Sequence, residues 1–279
     1  MNRILLSCVL ILSLSISSHG QEYTWSGDVM DGHRTACTTP SKANVKETVG
    51  YFKGKTYVAP NGKTFPASSA TAKVARIVLD SQPAMARVKD VIAYSTESMS
   101  KKWPESPLSN WVVDLLMQQG EKHFGKKVDI GITNFGGIRV DMPKGDVILD
   151  DMLSMFPFKN QLVYVEHKGS TIRKILEGML PYNIQVLGGL RIVIEDGKLT
   201  SVNVGNEPLD DEKVYGLLTI SFLLNGGDNL RLADDALNII PSDVDVKDAV
   251  LAHVYAETAA GRPIESSIDN RVIIRQHHK

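Results

Sequence analysis

The stretch Asn134-Phe-Gly-Gly-Ile-Arg139 follows Val-Asp-Ile-Gly-Ile at residues 128–132, a pattern typical of a strand that ends in a glycine-rich turn. Two later stretches, Pro157-Phe-Lys-Asn160 and Phe222-Leu-Leu-Asn-Gly-Gly-Asp228, add aromatic, amide and acidic side chains. An arginine fork suits phosphate or carboxylate, two separated phenylalanines can sandwich a flat base, and a carboxylate can accept hydrogen bonds from vicinal sugar hydroxyls. Together these stretches indicate a nucleotide pocket assembled from distant parts of the chain.

Each part of this pattern also has a purely structural interpretation. A glycine pair such as Gly136-Gly137 is usually a turn, because glycine reaches positive φ at little cost. Phe158 and Phe222, taken singly, are typical core residues, and an aspartate after two glycines is most often a turn or helix-cap residue. Only the combination favours binding.

In this order and spacing, the three stretches resemble the C-terminal domain of the 5'-nucleotidase family, from about Lys102 to the end of the chain. Members of that family hydrolyse nucleoside monophosphates and related nucleotides outside the cytoplasm. The resemblance implies a domain of stacked helix and sheet layers that holds the nucleoside but not the metals.

The resemblance also implies substrate-binding roles for individual residues. Arg139 would bind the phosphate or a bridging anion, beside Asn134. Phe158 and Phe222 would stack on the base, Asn160 would face the base edge, and Asp228 would take the ribose hydroxyls. The full set implied in this way is Asn134, Gly136, Gly137, Arg139, Phe158, Asn160, Phe222, Asp228, Gly189 and Lys102.

Three positions depart from the family pattern. Residues 105–114, ESPLSNWVVD, resemble a family helix written E-x-x-x-G-N-L-x-x-D, with Ser109 in place of the glycine. Lys102 stands where some relatives carry a phosphate-binding arginine, and lysine is a point charge without the planar fork. At 185–191 the family's Q-x-S-G-L-R has gained a residue and lost its serine, so the pocket glycine is either Gly188 or Gly189.

Two-domain members of the family carry two metals in an N-terminal calcineurin-like domain, where the metals activate water. The metal ligands come from D-x-H, G-D-x-x-[DN], G-N-H-[ED] and G-H-x-H motifs. Asp31-Gly-His33 has the first spacing but follows no apolar strand, and Gly205-Asn-Glu207 lacks the histidine of the third. We therefore predict no metal site and no cofactor in this chain, and expect divalent metals in a partner phosphatase.

Other histidines and nucleophiles offer no alternative catalytic centre. His123, His167 and His253 fall on predicted helices or strands without ligand spacing, and His277-His278 is typical of a solvated tail. The sequence has no G-x-S-x-G motif and no cysteine-histidine pair in a suitable context. No catalytic residue is predicted.

Residues 1–20 have the pattern of a cleavable signal peptide. Met1-Asn-Arg3 is positively charged, residues 4–16 are apolar, and Ser18-His-Gly20 places small residues at −3 and −1. Cleavage before Gln21 predicts an exported protein, periplasmic or secreted.

The cysteines add little to this prediction. Cys8 follows Leu-Leu-Ser, as in a lipoprotein signal, but it comes too early to leave an apolar segment before it, so lipidation is the weaker alternative. Cys37 is then the only mature cysteine, which excludes an internal disulfide and favours an inert apolar role.

Composition restricts the class of partner. The chain has 31 Lys and Arg against 32 Asp and Glu, a formal net charge of −1, which argues against non-specific nucleic-acid binding. Beyond the signal peptide no apolar run approaches the roughly 18 residues of a membrane span.

Residues 21–83, rich in Gly, Thr, Ser, Lys and Pro, predict an irregular N-terminal extension with short strands such as Thr56-Tyr-Val-Ala59, and residues 84–279 predict one domain.

Periodicity within residues 84–279 predicts alternating helices and strands. Helical spacing of apolar residues occurs in three segments, and Ser170 is a plausible cap for the second. Asp196-Gly-Lys198 separates two strands of a hairpin. The predicted helices lie around 108–116, 171–180 and 246–257, and the strands at 128–132, 161–166, 190–194, 199–204 and 271–274. This mixture predicts an α+β fold, with layered mixed sheets covered by helices.

Three hypotheses for function follow. In the first, the chain is the nucleotide-recognition half of an exported 5'-nucleotidase, and a separately encoded calcineurin-like metallophosphatase supplies hydrolysis of the phosphoric monoester. In the second, it is a free-standing nucleotide- or nucleoside-binding protein without a catalytic partner. The third and weaker one is an interaction or structural role in which the pocket is not used.

Overall fold

The computed structural model describes residues 41–180 and 182–276. The predicted signal peptide, Cys37, Asp31-Gly-His33 and His277-His278 lie outside these residues. The helices are α1 (Val45–Val49), α2 (Ala70–Ser81), α3 (Pro107–Phe124), α4 (Leu149–Met155), α5 (Gly169–Met179) and α6 (Val246–Ala259). The strands are β1 (Tyr51–Lys53), β2 (Thr56–Val58), β3 (Thr64–Pro66), β4 (Val91–Ser95), β5 (Ile130–Thr133), β6 (Gly145–Ile148), β7 (Gln161–Lys168), β8 (Val186–Gly188), β9 (Leu190–Glu195), β10 (Lys198–Val204), β11 (Glu207–Pro208), β12 (Val214–Ile220), β13 (Asn238–Asp245) and β14 (Val272–Arg275).

The largest sheet has the strand order β13-β7-β12-β5-β8. Its strands β12 and β5 are parallel, whereas β7 is antiparallel to β12 and β8 is antiparallel to β5. Residues of β5, β7 and β12 are buried almost without interruption, as expected for strands covered on both faces. The predicted α+β class with mixed sheets is therefore confirmed.

Helix α3 packs directly on this sheet, and two glycines make the close approach possible. A Cβ atom on Gly131 would stand 2.7 Å from both Val113 and Met117, and one on Gly188 would stand 2.6 Å from Met117. The predicted apolar stripe of α3, at Leu108, Trp111, Val112, Leu115 and Leu116, is buried as expected.

The second sheet has the order β11-β10-β9-β14 and contains the predicted hairpin. Asp196 and Gly197, with φ of 48° and 77°, form the two-residue turn between β9 and β10, and positive φ at both positions suits the twist of a tight hairpin. The predicted last strand, β14, joins β9 in parallel. A two-stranded pair, β4 with β6, lies apart from these sheets.

The segment 105–114 is joined to the residues that lead into β14 by a partly buried polar network. Glu105 accepts hydrogen bonds from the Asn110 amide at 2.8 Å and from the backbone N–H of Asp269 at 2.9 Å. Arg271 donates two hydrogen bonds to Asp114, at 2.9 and 3.1 Å. The acidic and amide positions of this family-like helix therefore bind the chain's own last strand.

Ser109, which replaces a glycine of the family pattern, caps α3 together with Ser106. The Ser106 hydroxyl accepts from the Ser109 N–H at 3.2 Å, and the Ser109 hydroxyl accepts from the Ser106 N–H at 3.0 Å. This reciprocal capping box satisfies two donors that a helix start leaves unpaired.

Two predictions need correction. Within 41–83 the predicted short strand at Thr56-Tyr-Val-Ala59 is confirmed as β2, but the segment is not irregular, because β1, β2 and β3 form an antiparallel sheet beneath α2. The helix α2 escaped prediction because its buried residues are Ala72 and Ala75, which give no stripe of large apolar side chains.

Ser170 does not cap α5, which begins one residue earlier, at Gly169. The backbone N–H of Gly169 donates to the Lys213 carbonyl at 2.9 Å, and that of Ser170 donates to the Asp211 carbonyl at 3.0 Å. The chain at 210–213 therefore replaces a side-chain cap. None of the helices in the described ranges is long and apolar enough to cross a bilayer.

Candidate functional site

Three loops meet at one edge of the large sheet, and strand direction is the reason. The parallel strands β5 and β12 both end at this edge, where Asn134 and the turn Ser221–Leu223 follow them. Strand β7 runs antiparallel to β12 and so begins at the same edge, just after Asn160. The sheet topology therefore brings together three stretches that are far apart in sequence.

These loops enclose a cavity of about 330 Å³, which we call the first cavity. The cavity is lined by eight of the residues singled out from the sequence: Asn134, Gly136, Gly137, Arg139, Phe158, Asn160, Phe222 and Asp228. Its walls combine two aromatic rings, one guanidinium, one carboxylate and two amides, a set suited to a flat polar ligand that carries an anion.

Asn134 and Asp228 are joined across the base of the cavity. The Asn134 Nδ2 atom donates to Asp228 Oδ2 at 2.6 Å. Asn134 is only 4% exposed, and within the described chain its Oδ1 atom is buried without a hydrogen-bond partner. A buried acceptor without a partner is costly. The hydrogen bond from Nδ2 to the Asp228 carboxylate is therefore the contact that holds this amide in place.

The backbone at Asp228 is in the left-handed region, with φ of 48° and ψ of 36°. The next residue, Asn229, also has positive φ, at 61°. Aspartate and asparagine tolerate this conformation better than most residues. The N–H groups of Asn229 and Leu230 donate to the carbonyls of Gly226 and Gly227, at 3.2 and 2.9 Å, and hold the turn.

The two phenylalanine rings in the cavity are half-exposed, with 49% of Phe158 and 46% of Phe222 accessible. Apolar rings are usually buried, so both offer surface to a ligand. The Arg139 guanidinium carbon lies 5.8 Å from the Phe158 ring centroid, within cation–π range. Its Nη1 atom donates to the Gly136 carbonyl at 3.4 Å, a long contact that leaves most of the fork to solvent.

Glycines are required where these side chains are packed most closely. A Cβ atom on Gly137 would stand 2.6 Å from Asn134 Oδ1. A Cβ atom on Gly227 would stand 2.2 Å from the Phe222 carbonyl oxygen and 2.7 Å from its ring. Gly137 and Gly227 therefore leave the space in which the amide and the ring take their positions.

Lys102 and Gly189 are not among the residues that line the first cavity. Gly189 has φ of 68°, and a Cβ atom there would stand 2.1 Å from the Asp129 carbonyl oxygen. This glycine is therefore explained by a tight turn. Gly188, the alternative, packs against α3.

Lys101, rather than Lys102, contacts the loop that carries Arg139. Its Nζ atom donates to the carbonyls of Ile138 and Phe135, at 2.5 and 3.2 Å. Burial lowers the pKa of Lys101, and the neighbouring charge of Arg139 lowers it further. Lys101 thus clamps the loop and adds a second cation beside the cavity.

Sequence reasoning missed Lys101, Gly227 and Gln185 as supports of the site. The Gln185 Oε1 atom accepts from the Phe135 N–H at 3.3 Å, which ties the strand approaching β8 to the same loop. Gly227 was visible as part of the Gly-Gly pair before Asp228. No sequence pattern pointed to Lys101.

The histidines predicted to be structural are distributed through the fold. His167 is buried in β7, where its Nε2 atom lies 3.0 Å from the Leu232 carbonyl oxygen and burial lowers its pKa. His253 packs edge-on against Trp111, with ring centroids 6.5 Å apart. Residues 41–180 and 182–276 contain no cluster of three or more His, Cys, Asp or Glu side chains arranged to hold a metal.

The sequence assigns the chain to a family, and the fold agrees with that assignment. The 5'-nucleotidase, C-terminal domain family matches residues 75–235, more than half of the chain. The chain therefore belongs to this family, as the resemblance of its three motifs predicted.

Known proteins with similar sequence or structure agree with this assignment. Protein UshA of Yersinia enterocolitica is 34% identical over 113 residues, which cover 38% of this chain and 20% of UshA. The 5'-nucleotidase of Homo sapiens is 26% identical over 188 residues, which cover 58% of this chain and 33% of that protein. The 5'-nucleotidase precursor of Thermus thermophilus superposes with a TM-score of 0.63 at 24% identity, over 73% of this chain and 43% of its own. The similarity thus spans a fifth to less than half of each relative's length.

Proposed function

We propose that this chain is the nucleotide-recognition unit of an exported 5'-nucleotidase system in nucleotide catabolism. The observation that supports the proposal most directly is the first cavity, in which two half-exposed rings, an arginine and an aspartate converge. The family assignment supports a nucleotide as the ligand.

In this proposal the base lies between Phe158 and Phe222, and Asn160 faces its edge. Stacking of a base on an aromatic side chain is worth roughly 1–3 kcal/mol per contact. Because every base has a π face, such a site tolerates different bases, and the amide of Asn160 supplies the remaining preference.

Asp228 accepts hydrogen bonds from the ribose hydroxyls. Its Oδ2 atom already accepts from Asn134, so Oδ1 is the oxygen offered to the sugar. A deoxyribose would leave part of this acceptor capacity unpaired, which favours ribonucleotides.

Arg139 binds the 5'-phosphate. Its guanidinium is exposed and contributes roughly 1.5–3 kcal/mol as a charge-assisted hydrogen bond. Together with the two rings and the aspartate, this interaction is consistent with dissociation constants on the order of micromolar, after the cost of association.

Hydrolysis requires a further component in this proposal. A dimetal phosphatase, encoded separately, would activate water and stabilise the in-line displacement. The similarity covers 20% of UshA and 43% of the T. thermophilus 5'-nucleotidase precursor. Export rests on the signal-peptide pattern of residues 1–20.

The alternative is a nucleotide- or nucleoside-binding protein that acts without a catalytic partner. The first cavity is compatible with this alternative, because this chain contributes two rings, a guanidinium and a carboxylate to it. A pull-down from the native cell distinguishes the two: recovery of a calcineurin-like phosphatase supports the first, and binding activity without such a partner supports the second.

The proposed recognition is tested by calorimetric titration with AMP, adenosine and ribose 5-phosphate. AMP should bind most tightly. Adenosine should bind at least roughly tenfold more weakly than AMP, because it lacks the charge-assisted contact. Ribose 5-phosphate should bind most weakly, because it lacks the base. Equal affinity for AMP and ribose 5-phosphate would contradict a stacking role for the two rings.

A further inference from the structure

A second cavity, of about 390 Å³, adjoins the first, and the two share Gly136 and Asp228 in their walls. Its lining residues are Lys101, Trp103, Phe135, Gly136, Asn183, Ile184, Gln185 and Asp228. A single nucleoside in the first cavity leaves this volume unexplained. Asp228, the carboxylate proposed to accept hydrogen bonds from the ribose hydroxyls, therefore lies at the boundary between the two cavities.

We propose that the second cavity is a subsite for a phosphoryl group on the ribose 3'- or 2'-oxygen of a nucleotide bound in the first cavity. The inference rests on the proposed function. Because Asp228 lines both cavities, a substituent on a ribose oxygen that faces this carboxylate lies next to the second cavity.

The charges in the second cavity suit an anion near Lys101. The Lys101 ammonium donates to two loop carbonyls, at Phe135 and Ile138, and retains a third N–H for a ligand. Burial lowers the pKa of Lys101, the charge of Arg139 lowers it further, and the charge of Asp141 raises it. Arg139 therefore adds positive potential at this loop, whereas Asp141 and Asp228 oppose an anion. The side-chain amides of Asn183 and Gln185 provide further donors.

Trp103 forms a second aromatic surface in this cavity. The indole is 45% exposed, and its Nε1–H donates to the Ile184 carbonyl at 3.1 Å, which fixes the ring. A fixed, exposed indole is a stacking surface for a base. The second cavity is therefore large enough, and suitably lined, for a nucleotide linked through the 3'-phosphate.

The test compares AMP with adenosine 3',5'-bisphosphate and with the 5'-phosphorylated dinucleotide pApA, by calorimetry on the full chain. All three carry the 5'-phosphate, so Arg139 is satisfied equally. We expect the bisphosphate to bind roughly threefold more tightly than AMP. The charge-assisted contact with Lys101 is offset in part, because the 3'-phosphate removes one hydroxyl donor to Asp228 and is repelled by that carboxylate. The dinucleotide should bind about fivefold more tightly again through Trp103.

Two variants assign the gain to named side chains. Lys101→Met should abolish the preference for the bisphosphate over AMP, whereas Lys144→Met, a change at a lysine outside both cavities, should keep the wild-type preference. Trp103→Leu should remove the additional gain of pApA and keep that of the bisphosphate. Each comparison is the ratio of the affinities of two ligands for the same variant. A variant that binds all ligands more weakly therefore leaves this ratio unchanged.

The outcomes separate this inference from the proposed function. AMP binding with no gain for the bisphosphate or pApA would overturn the second subsite and leave the proposed function intact. No binding of AMP would overturn both. A gain that survives Lys101→Met would also overturn the assignment, because the anion would then lie elsewhere.

Discussion

The Nδ2 atom of Asn134 donates a hydrogen bond to Oδ2 of Asp228 at 2.6 Å and joins the loop after β5 to the loop after β12. These loops leave adjacent parallel strands, so the bond closes the base of the first cavity. It also orients the carboxylate proposed to take the ribose hydroxyls. Asn134 should therefore influence sugar selectivity without touching the base.

Asp228→Ala should reduce the discrimination between adenosine and 2'-deoxyadenosine. The wild type should prefer the ribonucleoside by roughly fivefold or more, because the deoxy sugar leaves an acceptor unpaired. In Asp228→Ala the two affinities should be nearly equal, and Asn134→Ala should give an intermediate ratio. A ratio that is unchanged in Asp228→Ala, measured by calorimetry, would remove this residue from sugar recognition.

Phe158→Ala and Phe222→Ala should each weaken adenosine binding by roughly 1–3 kcal/mol, the value of a base–aromatic stack. Both rings are half-exposed, so the fold should lose little stability. Tyr255→Ala is the matched control, because Tyr255 is equally exposed but lies on α6 outside the cavity. Losses in the two variants no larger than in this control would argue against stacking.

Gly227→Ala should impair binding through Phe222. The added methyl group would stand 2.2 Å from the Phe222 carbonyl oxygen and 2.7 Å from the ring, so the ring must move. We expect adenosine affinity to fall by roughly tenfold, within the value of one stack. In Gly178→Ala, a position in α5 with open space around it, affinity should stay unchanged and stability should rise by about 0.5–1 kcal/mol.

Arg271 should contribute to stability in a pH-dependent manner. Its hydrogen bonds to Asp269 hold the pKa of that carboxyl below its ordinary value. A depressed carboxyl pKa stabilises the fold above the unfolded pKa, near pH 4, and this stabilisation is lost as the pH falls through the lower, folded pKa. The free energy of unfolding of the wild type should therefore decrease as the pH falls below about 4.

Arg271→Met should reduce this decrease without abolishing it, because Glu105 and Arg191 also lower the pKa of Asp269 and Arg262 lowers that of Glu257. The variant should lose roughly 1–3 kcal/mol of stability at pH 7, a value limited by the half-exposure of both partner carboxylates. Arg275→Met, which breaks the exposed pair with Glu195, should change stability by about 0.5 kcal/mol or less. Denaturant unfolding of both variants at pH 3 and pH 7 measures these effects. An Arg271→Met protein that retains the wild-type pH dependence would contradict this assignment.

The site was predictable where its chemistry lies at strand ends. The apolar runs of β5 and β7 were predicted as strands, and the polar or aromatic residues beside them stand out as exceptions. Strand β12, which precedes Phe222, was not among the predicted strands. The resemblance to the family predicted that these residues bind a nucleotide together, and the sheet topology places them at one edge. The hairpin turn at Asp196-Gly197 was predictable for the same local reason, because few residues accept its positive φ.

Features that depend on long-range packing were not predictable from local patterns. Lys101 lies in a loop without periodicity, and its role arises only because its side chain reaches carbonyls 34 and 37 residues away. Helix α2 buries only alanines, and β1 and β3 are three residues each, too short to show an alternating pattern. The conclusion that Glu105 and Asp114 serve the fold required the position of β14.

The central claim is recognition of a nucleotide without hydrolysis by the chain alone. Its most direct test is calorimetric titration of the purified chain with AMP and adenosine, together with a phosphate-release assay in added divalent metal. We predict micromolar binding of AMP and no metal-dependent release. Strong metal-dependent release would contradict the need for a separate phosphatase, and absence of binding would contradict nucleotide recognition by the first cavity.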